Sequence, residues 1–237
     1  MLEDRSKENE KAQYHECFPQ IEKDLNRTFD FQFNTKQVFE KILKKIANHF
    51  PAMGYTQGVN FVVGYLLILG YSEEDTFWMF IHLATSQRYL LLGLYEDGFP
   101  LANVYTKIFK SMLRRIDKGL YSHIYENLML DESVWIFKWF ITCYIYSFPL
   151  QVIKFVWDLM VELGGLALVY FAVSLVVSLR DRMLGIDDAC DMSEFMQNLK
   201  NLEFFNECVK IDKVIETVYG LKANKEDLEA LSQSTGS

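Results

Sequence analysis

At 237 residues, with apolar side chains at 50% and aromatic ones at 15%, the chain is long enough to bury one sizeable core. A net charge of -8 argues against general nucleic-acid binding, which needs a basic face, though not against a local basic patch. Only 4 Pro and 12 Gly speak against a turn-rich all-β protein and in favour of long helices.

In chain order, residues 1–20 read as a polar segment, charged from the third residue and so unlike a signal peptide. "IEKDLNRTF", Ile21 to Phe29, predicts a short helix. A longer one is expected from near Thr35, a good capping residue, with Val38, Phe39, Ile42, Leu43, Ile46 and Ala47 along its apolar stripe. Pro51 opens the loop "PAMGYTQG", which leads into an apolar helix over 59–69 closed by Gly70. Ser72 is expected to cap the next helix, whose acidic first turn suits the helix dipole. A further apolar stripe marks a helix over 101–116. Residues 131–146, "DESVWIFKWFITCYIY", predict one Trp- and Phe-rich helix, and residues 152–161 predict another after Pro149.

The run "LGGLALVYFAVSLVVSL", residues 163–179, carries no charge over 17 positions, the lower limit of a membrane span. No second such run exists, and a central helix of a large helical domain is also apolar all round. The reading is a buried core helix, with a membrane span as the alternative. "SEFMQNLKNL" and "NECVKIDKVIETVYGL" follow as helical segments, and residues 222–237 read as a polar, disordered tail. The expected fold is all-α, a single domain of roughly ten helices.

Stand-alone chemistry is hard to build from these residues. Cys17, Cys143, Cys190 and Cys208 are scattered, which predicts buried free thiols in a reducing, cytosolic compartment. His15, His49, His82 and His123 lack ligand spacing, so no metal site is expected. The acidic pairs Glu73–Glu74 and Asp187–Asp188 fit solvated faces or helix first turns better than an acid–base dyad. Trp135, Trp139 and Trp157 recur at helical spacing and are expected in the core. Two polar groups stand apart. Asp24 and Arg27 are helical neighbours, so the acid can orient the guanidinium while Ile21 anchors the turn. In "MGYTQGVNF", Gln57 lies between Gly54 and Gly58, with Asn60 just beyond.

Taken together, "IEKDLNRTF" and "GYTQGVNF" closely resemble the two finger motifs of the TBC-domain family, GTPase-activating proteins for Rab-type small GTPases. The first motif, I-x-x-D-x-x-R, is met by Ile21, Asp24 and Arg27. The second, Y-x-Q, is met by Tyr55 and Gln57, with Val59 standing where the family usually has Met. Residues 135–160 are similar to the family's Trp-rich helix, "FP" break and "WDL" helix, so the likeness runs from about 21 to about 221.

The resemblance implies a two-lobed helical domain that supplies Arg27 as an arginine finger and Gln57 as a water-positioning finger in trans. Asp24, Tyr55, Gly54, Gly58 and Asn60 would support them, the glycines by letting the loop approach the nucleotide closely. The chain would hold no cofactor of its own and would act on GTP and Mg bound to the GTPase. Recruitment to membranes would be indirect, from the cytoplasm. Members of the family carry further helices ahead of the arginine motif, which is preceded here by twenty residues. That predicts either a shortened domain or a fragment whose first helices are missing, with the apolar surface left in the N-terminal part covered by a neighbouring protein. The alternative is a TBC-like scaffold subunit without catalytic activity.

Overall fold

The computed structural model describes residues 17–234. Within them the backbone forms fourteen α-helices, several of them a single turn or two, and no strand. The expected all-α fold is observed. The expectations for residues 1–16 lie outside the described residues.

The first helix, α1, covers residues 17–28. It is followed by α2 (Phe33–His49), α3 (Val59–Ile68) and α4 (Glu73–Thr85), which pack on one another. The predicted stripe of α2 is inside: Phe39, Ile42, Leu43, Ile46 and Ala47 are buried, while Lys41 and Lys45 reach outward to Glu73 at 2.9 and 2.6 Å. Thr35 does not cap this helix. The helical backbone begins at Phe33 with no side-chain cap, and the Phe31 ring sits edge-on against Phe39 at 5.4 Å, seating the entry by packing instead. Ser72 caps α4 as expected, its hydroxyl accepting from the Asp75 N–H at 3.1 Å.

Next come α5 (Pro100–Ile116), α6 (Lys118–Ser122), a wide turn at His123–Asn127, and α7 (Ile136–Ile141). The long helix expected over 131–146 is interrupted: a tight turn at Glu132–Val134 precedes α7, and Cys143 and Tyr144 after it adopt left-handed backbone. Tertiary bonds hold that unusual turn. The Tyr144 hydroxyl donates to the Leu168 carbonyl at 2.6 Å, and the Trp157 indole donates to the Cys143 carbonyl at 3.4 Å. The turn also sets the Ile141 carbonyl against Gly58. A Cβ at position 58 would lie 2.6 Å from that oxygen and 3.0 Å from the Tyr95 ring, at a φ of 126°. Only glycine meets both conditions.

Helices α8 (Leu150–Leu163) and α9 (Ala167–Ser178) form the centre. α9 is buried along nearly its whole length, against α5, α8 and the later α13 (Ile211–Gly220), which explains its lack of any charged face. No described helix is long and apolar enough to cross a membrane. Trp135, Trp139 and Trp157 are all in the core. Of the four cysteines expected to be buried, only Cys143 is; Cys190 is exposed and Cys17 and Cys208 are half-buried. Burial pushes the Cys143 thiol up to about 12, so it is inert at neutral pH.

The remaining helices are α10 (Arg180–Leu184), α11 (Ala189–Asn198), α12 (Leu202–Cys208) and α14 (Lys225–Ser234). Asp188 caps α11 and Glu73 and Glu74 sit in the first turn of α4, as their pairing predicts. The expectation of a disordered tail fails at α14, which lies against α5. Its start is fixed by reciprocal bonds between Asn224 and Asp227 at 2.7 and 3.1 Å, and by Arg115, which donates to the Lys222 carbonyl at 3.1 Å. Its composition is polar because one narrow side is buried.

Trp157→Ala should cost about 3–5 kcal/mol in chemical denaturation, through the cavity left beneath Tyr65. Gly58→Ala should cost at least about 1–3 kcal/mol, because strain and a backbone clash coincide there, and the same denaturation curves measure it.

Candidate functional site

Helix α1 puts Ile21 and Leu25 into the core and, by helical spacing, turns Arg27 outward. Asp24 lies between these environments: its side chain is 1% exposed, whereas that of Arg27 is 63% exposed. A buried carboxylate needs donors, and three converge on it. Arg27 Nη2 donates to Oδ1 at 2.6 Å, Gln20 Nε2 to the same oxygen at 3.2 Å, and the Tyr55 hydroxyl to Oδ2 at 2.9 Å. Burial first, and then the Asp24 charge, raise the Tyr55 pKa above its ordinary value, so the phenol keeps its proton and remains a donor.

The Tyr55–Asp24 bond joins the two sequence motifs directly. A second tie runs beside it. Asn60 Nδ2 donates to Thr28 Oγ1 at 2.6 Å, Thr28 Oγ1 donates to the Asp24 carbonyl at 2.5 Å, and Asn60 Oδ1 accepts the Gly58 N–H at 2.9 Å. Asn60 thus braces the loop, while Tyr55 braces Asp24 rather than the loop around Gln57. Thr56 fixes the other side of that loop, donating to the Tyr95 carbonyl at 2.8 Å.

Both glycines have left-handed backbone, but their reasons differ. Gly54 has open space around it and needs only the conformation, with its N–H bonded to the Phe50 carbonyl at 2.8 Å. At Gly58 the backbone itself is closely approached by the Ile141 carbonyl of the same chain. Gln57, between them, is exposed, and among the described residues its amide has no hydrogen-bond partner.

Arg27 and Gln57 line one cleft of about 290 Å³ with Asn60, Lys138, Thr142 and Tyr146. Of the eight residues singled out in the sequence, Asp24, Arg27, Gln57 and Asn60 line this cleft, Tyr55 bonds to Asp24 and Gly58 to Asn60, while Ile21 lies in the core and Gly54 in the loop. Other contributors are not among the residues the sequence singles out, Thr142 from the segment after α7 being one. Gln20 and Thr28 sit four residues either side of Asp24, a spacing that would have pointed to them. Lys138 and Tyr146 arrive from α7 and its following turn, and no local pattern ties them to residue 27. Among the described residues no group of three His, Cys, Asp or Glu is placed to hold a metal. The chemical offer of the cleft is one oriented guanidinium and one free amide facing open space.

Comparison with known proteins bears on this geometry. "Growth hormone-regulated TBC protein 6" of Caenorhabditis elegans is 26% identical over 225 residues, covering 91% of this chain and 64% of the worm protein. "GTPase-activating protein GYP5" of Saccharomyces cerevisiae is 26% identical over 186 residues, covering 78% of this chain but 20% of the yeast protein. The chain thus spans less than two thirds of the length of these relatives. Among solved structures, a Chlamydomonas flagellar RabGAP TBC domain superposes with a TM-score of 0.74 at 20% identity, over 91% of this chain and 72% of that one. The YPT/Rab-GAP domain of GYP1P gives 0.70 at 18% identity, over 98% and 80%. These two likenesses establish the same fold. The sequence profile of the Rab-GTPase-TBC domain matches residues 2–184, most of the chain, and the protein belongs to that family.

Proposed function

We propose that this chain is a GTPase-activating protein for a Rab-type small GTPase and acts through Arg27 and Gln57. The observation that carries the reading is the pairing of an exposed, buried-acid-anchored Arg27 with an exposed, unpartnered Gln57 on one cleft. A GTPase alone hydrolyses GTP slowly, because charge develops on the phosphates without full compensation and the attacking water is poorly held. An arginine delivered in trans neutralises that charge and is worth about 10³–10⁵-fold in rate.

Asp24 engages Nη2 of Arg27. The remaining guanidinium donors stay available to phosphate oxygens. Arg27 therefore arrives with its orientation already chosen, and less entropy is lost on docking. Gln57 offers a donor and an acceptor on one amide, which is what holding a water for in-line attack requires. The reactants, GTP and Mg, belong to the GTPase, and this chain contributes only positioning and charge. Work in the cytoplasm, with recruitment to membranes through the GTPase or another protein, follows from this reading.

Single-turnover GTP hydrolysis across a panel of Rab-type GTPases tests it. Arg27→Ala and Gln57→Ala should each lower stimulated hydrolysis by at least about 100-fold. Gln57→Ala should shift unfolding by under about 0.5 kcal/mol, its side chain being exposed and unbonded, whereas Arg27→Ala should also cost about 1 kcal/mol by taking a donor from the buried Asp24. Loss of stability instead of rate would reassign either residue to structure. A folded wild type that stimulates nothing on a broad panel would favour the scaffold reading. Asp24→Asn should do both kinds of damage. It places an amide donor among three donors, so the fold should weaken by about 1–3 kcal/mol in urea, and the stimulated kcat should fall as Arg27 loses its anchor.

A further inference from the structure

Beside the Arg27–Gln57 cleft lies a second hollow of about 240 Å³, bounded by Trp135, Lys138, Tyr146, Gln197 and Lys200. Lys138 and Tyr146 line both, so the two share a wall. Two ammonium groups sit over the one Tyr146 ring, Lys138 Nζ at 4.1 Å and Lys200 Nζ at 4.3 Å from its centroid. Cation–π contacts of this kind hold a side chain in place for about 0.5–1 kcal/mol and leave its charge uncompensated.

Some lysines of this acidic chain are paired, Lys41 and Lys45 with Glu73, Lys44 with Glu40 and Lys110 with Glu132, and others are not; what sets Lys138 and Lys200 apart is that both stack on one ring beside the cleft. Among the described residues, neither Lys138 nor Lys200 makes an ion pair. Two like charges are thus gathered on one ring and exposed.

We infer that Lys138 and Lys200, mounted on Tyr146, form an anion-binding shoulder that takes an acidic segment of the partner GTPase and fixes how it docks over Arg27 and Gln57. The inference rests on the reading above that a Rab-type GTPase is the partner. A chain carrying -8 repels an acidic protein at long range, so docking such a surface beside the cleft requires a local patch of opposite sign. Lysines, as mobile point charges on flexible stems, can follow carboxylates that are themselves mobile on a protein surface. The shoulder acts on docking, and the two fingers act on the reaction.

The test measures binding and hydrolysis separately, on Rab-type GTPases loaded with a non-hydrolysable GTP analogue for the first and with GTP for the second. Wild type is compared with Lys138→Glu/Lys200→Glu and with a charge-matched control, Lys107→Glu/Lys213→Glu, at exposed positions on α5 and α13. The shoulder variant should bind at least about tenfold more weakly at low salt, lose much of its salt dependence, and show its defect in KM more than in kcat. The control should weaken binding less than about twofold. Equal binding by wild type and the shoulder variant would overturn the inference, even with hydrolysis stimulated normally. If wild type binds but stimulates nothing, the catalytic reading falls and the shoulder is still decided by the binding arm. If wild type binds no GTPase of the panel, both fall.

Discussion

A carboxylate taken out of water is costly unless it is matched, and the candidate site is organised around one such group. Asp24 is 1% exposed and receives three donors, one from Arg27, one from Gln20 and one from Tyr55 on a different segment. Burial of the acid makes each of those bonds matter more than a surface ion pair would, since removing any one leaves a buried oxygen under-satisfied. The arginine is therefore held by something that cannot easily move. Its own exposed end leaves the rest of the guanidinium free, so the anchored contact also sets the direction in which it points.

The glutamine side is held by different means. No side chain grips Gln57; the loop around it is clamped through backbone atoms by Asn60 and Thr56, and pressed at Gly58 against Ile141. The site thus combines a side chain fixed by its partners with a side chain left free on a fixed loop. This division suits the two roles proposed for them. A charge must be aimed before it meets phosphate, whereas an amide that arranges a water must be able to adjust to it.

Much of this was legible in the residues themselves, for identifiable reasons. The stripe of α2, the Ser72 cap, the core tryptophans and the buried α9 rest on periodicity and local chemistry, which the folded chain preserves. Asp24, Arg27, Tyr55 and Gln57 were recognisable as motifs, and the first two also as helical neighbours. The failures were of another kind. Cys143 and Tyr144 take left-handed backbone without glycine, held by bonds to α8 and α9 that no local pattern announces. Lys138 and Tyr146 reach the cleft only because that turn exists. α14 was read as tail because its capping residues and its buried Asp227 are polar. Local chemistry was readable; contacts across a hundred residues were not.

The contact between Gly58 and the Ile141 carbonyl has a consequence in time as well as space. Arg27 and Gln57 belong to the first quarter of the chain, yet the surface against which the loop of Gln57 is pressed is made more than eighty positions later. During synthesis, Arg27 and Gln57 are present before that loop has anything to rest on. A chain interrupted ahead of that turn would carry both motifs in sequence and lack the arrangement that makes them a site. Competence therefore emerges cooperatively, with the closing of a long-range contact, and not piecemeal as each helix forms.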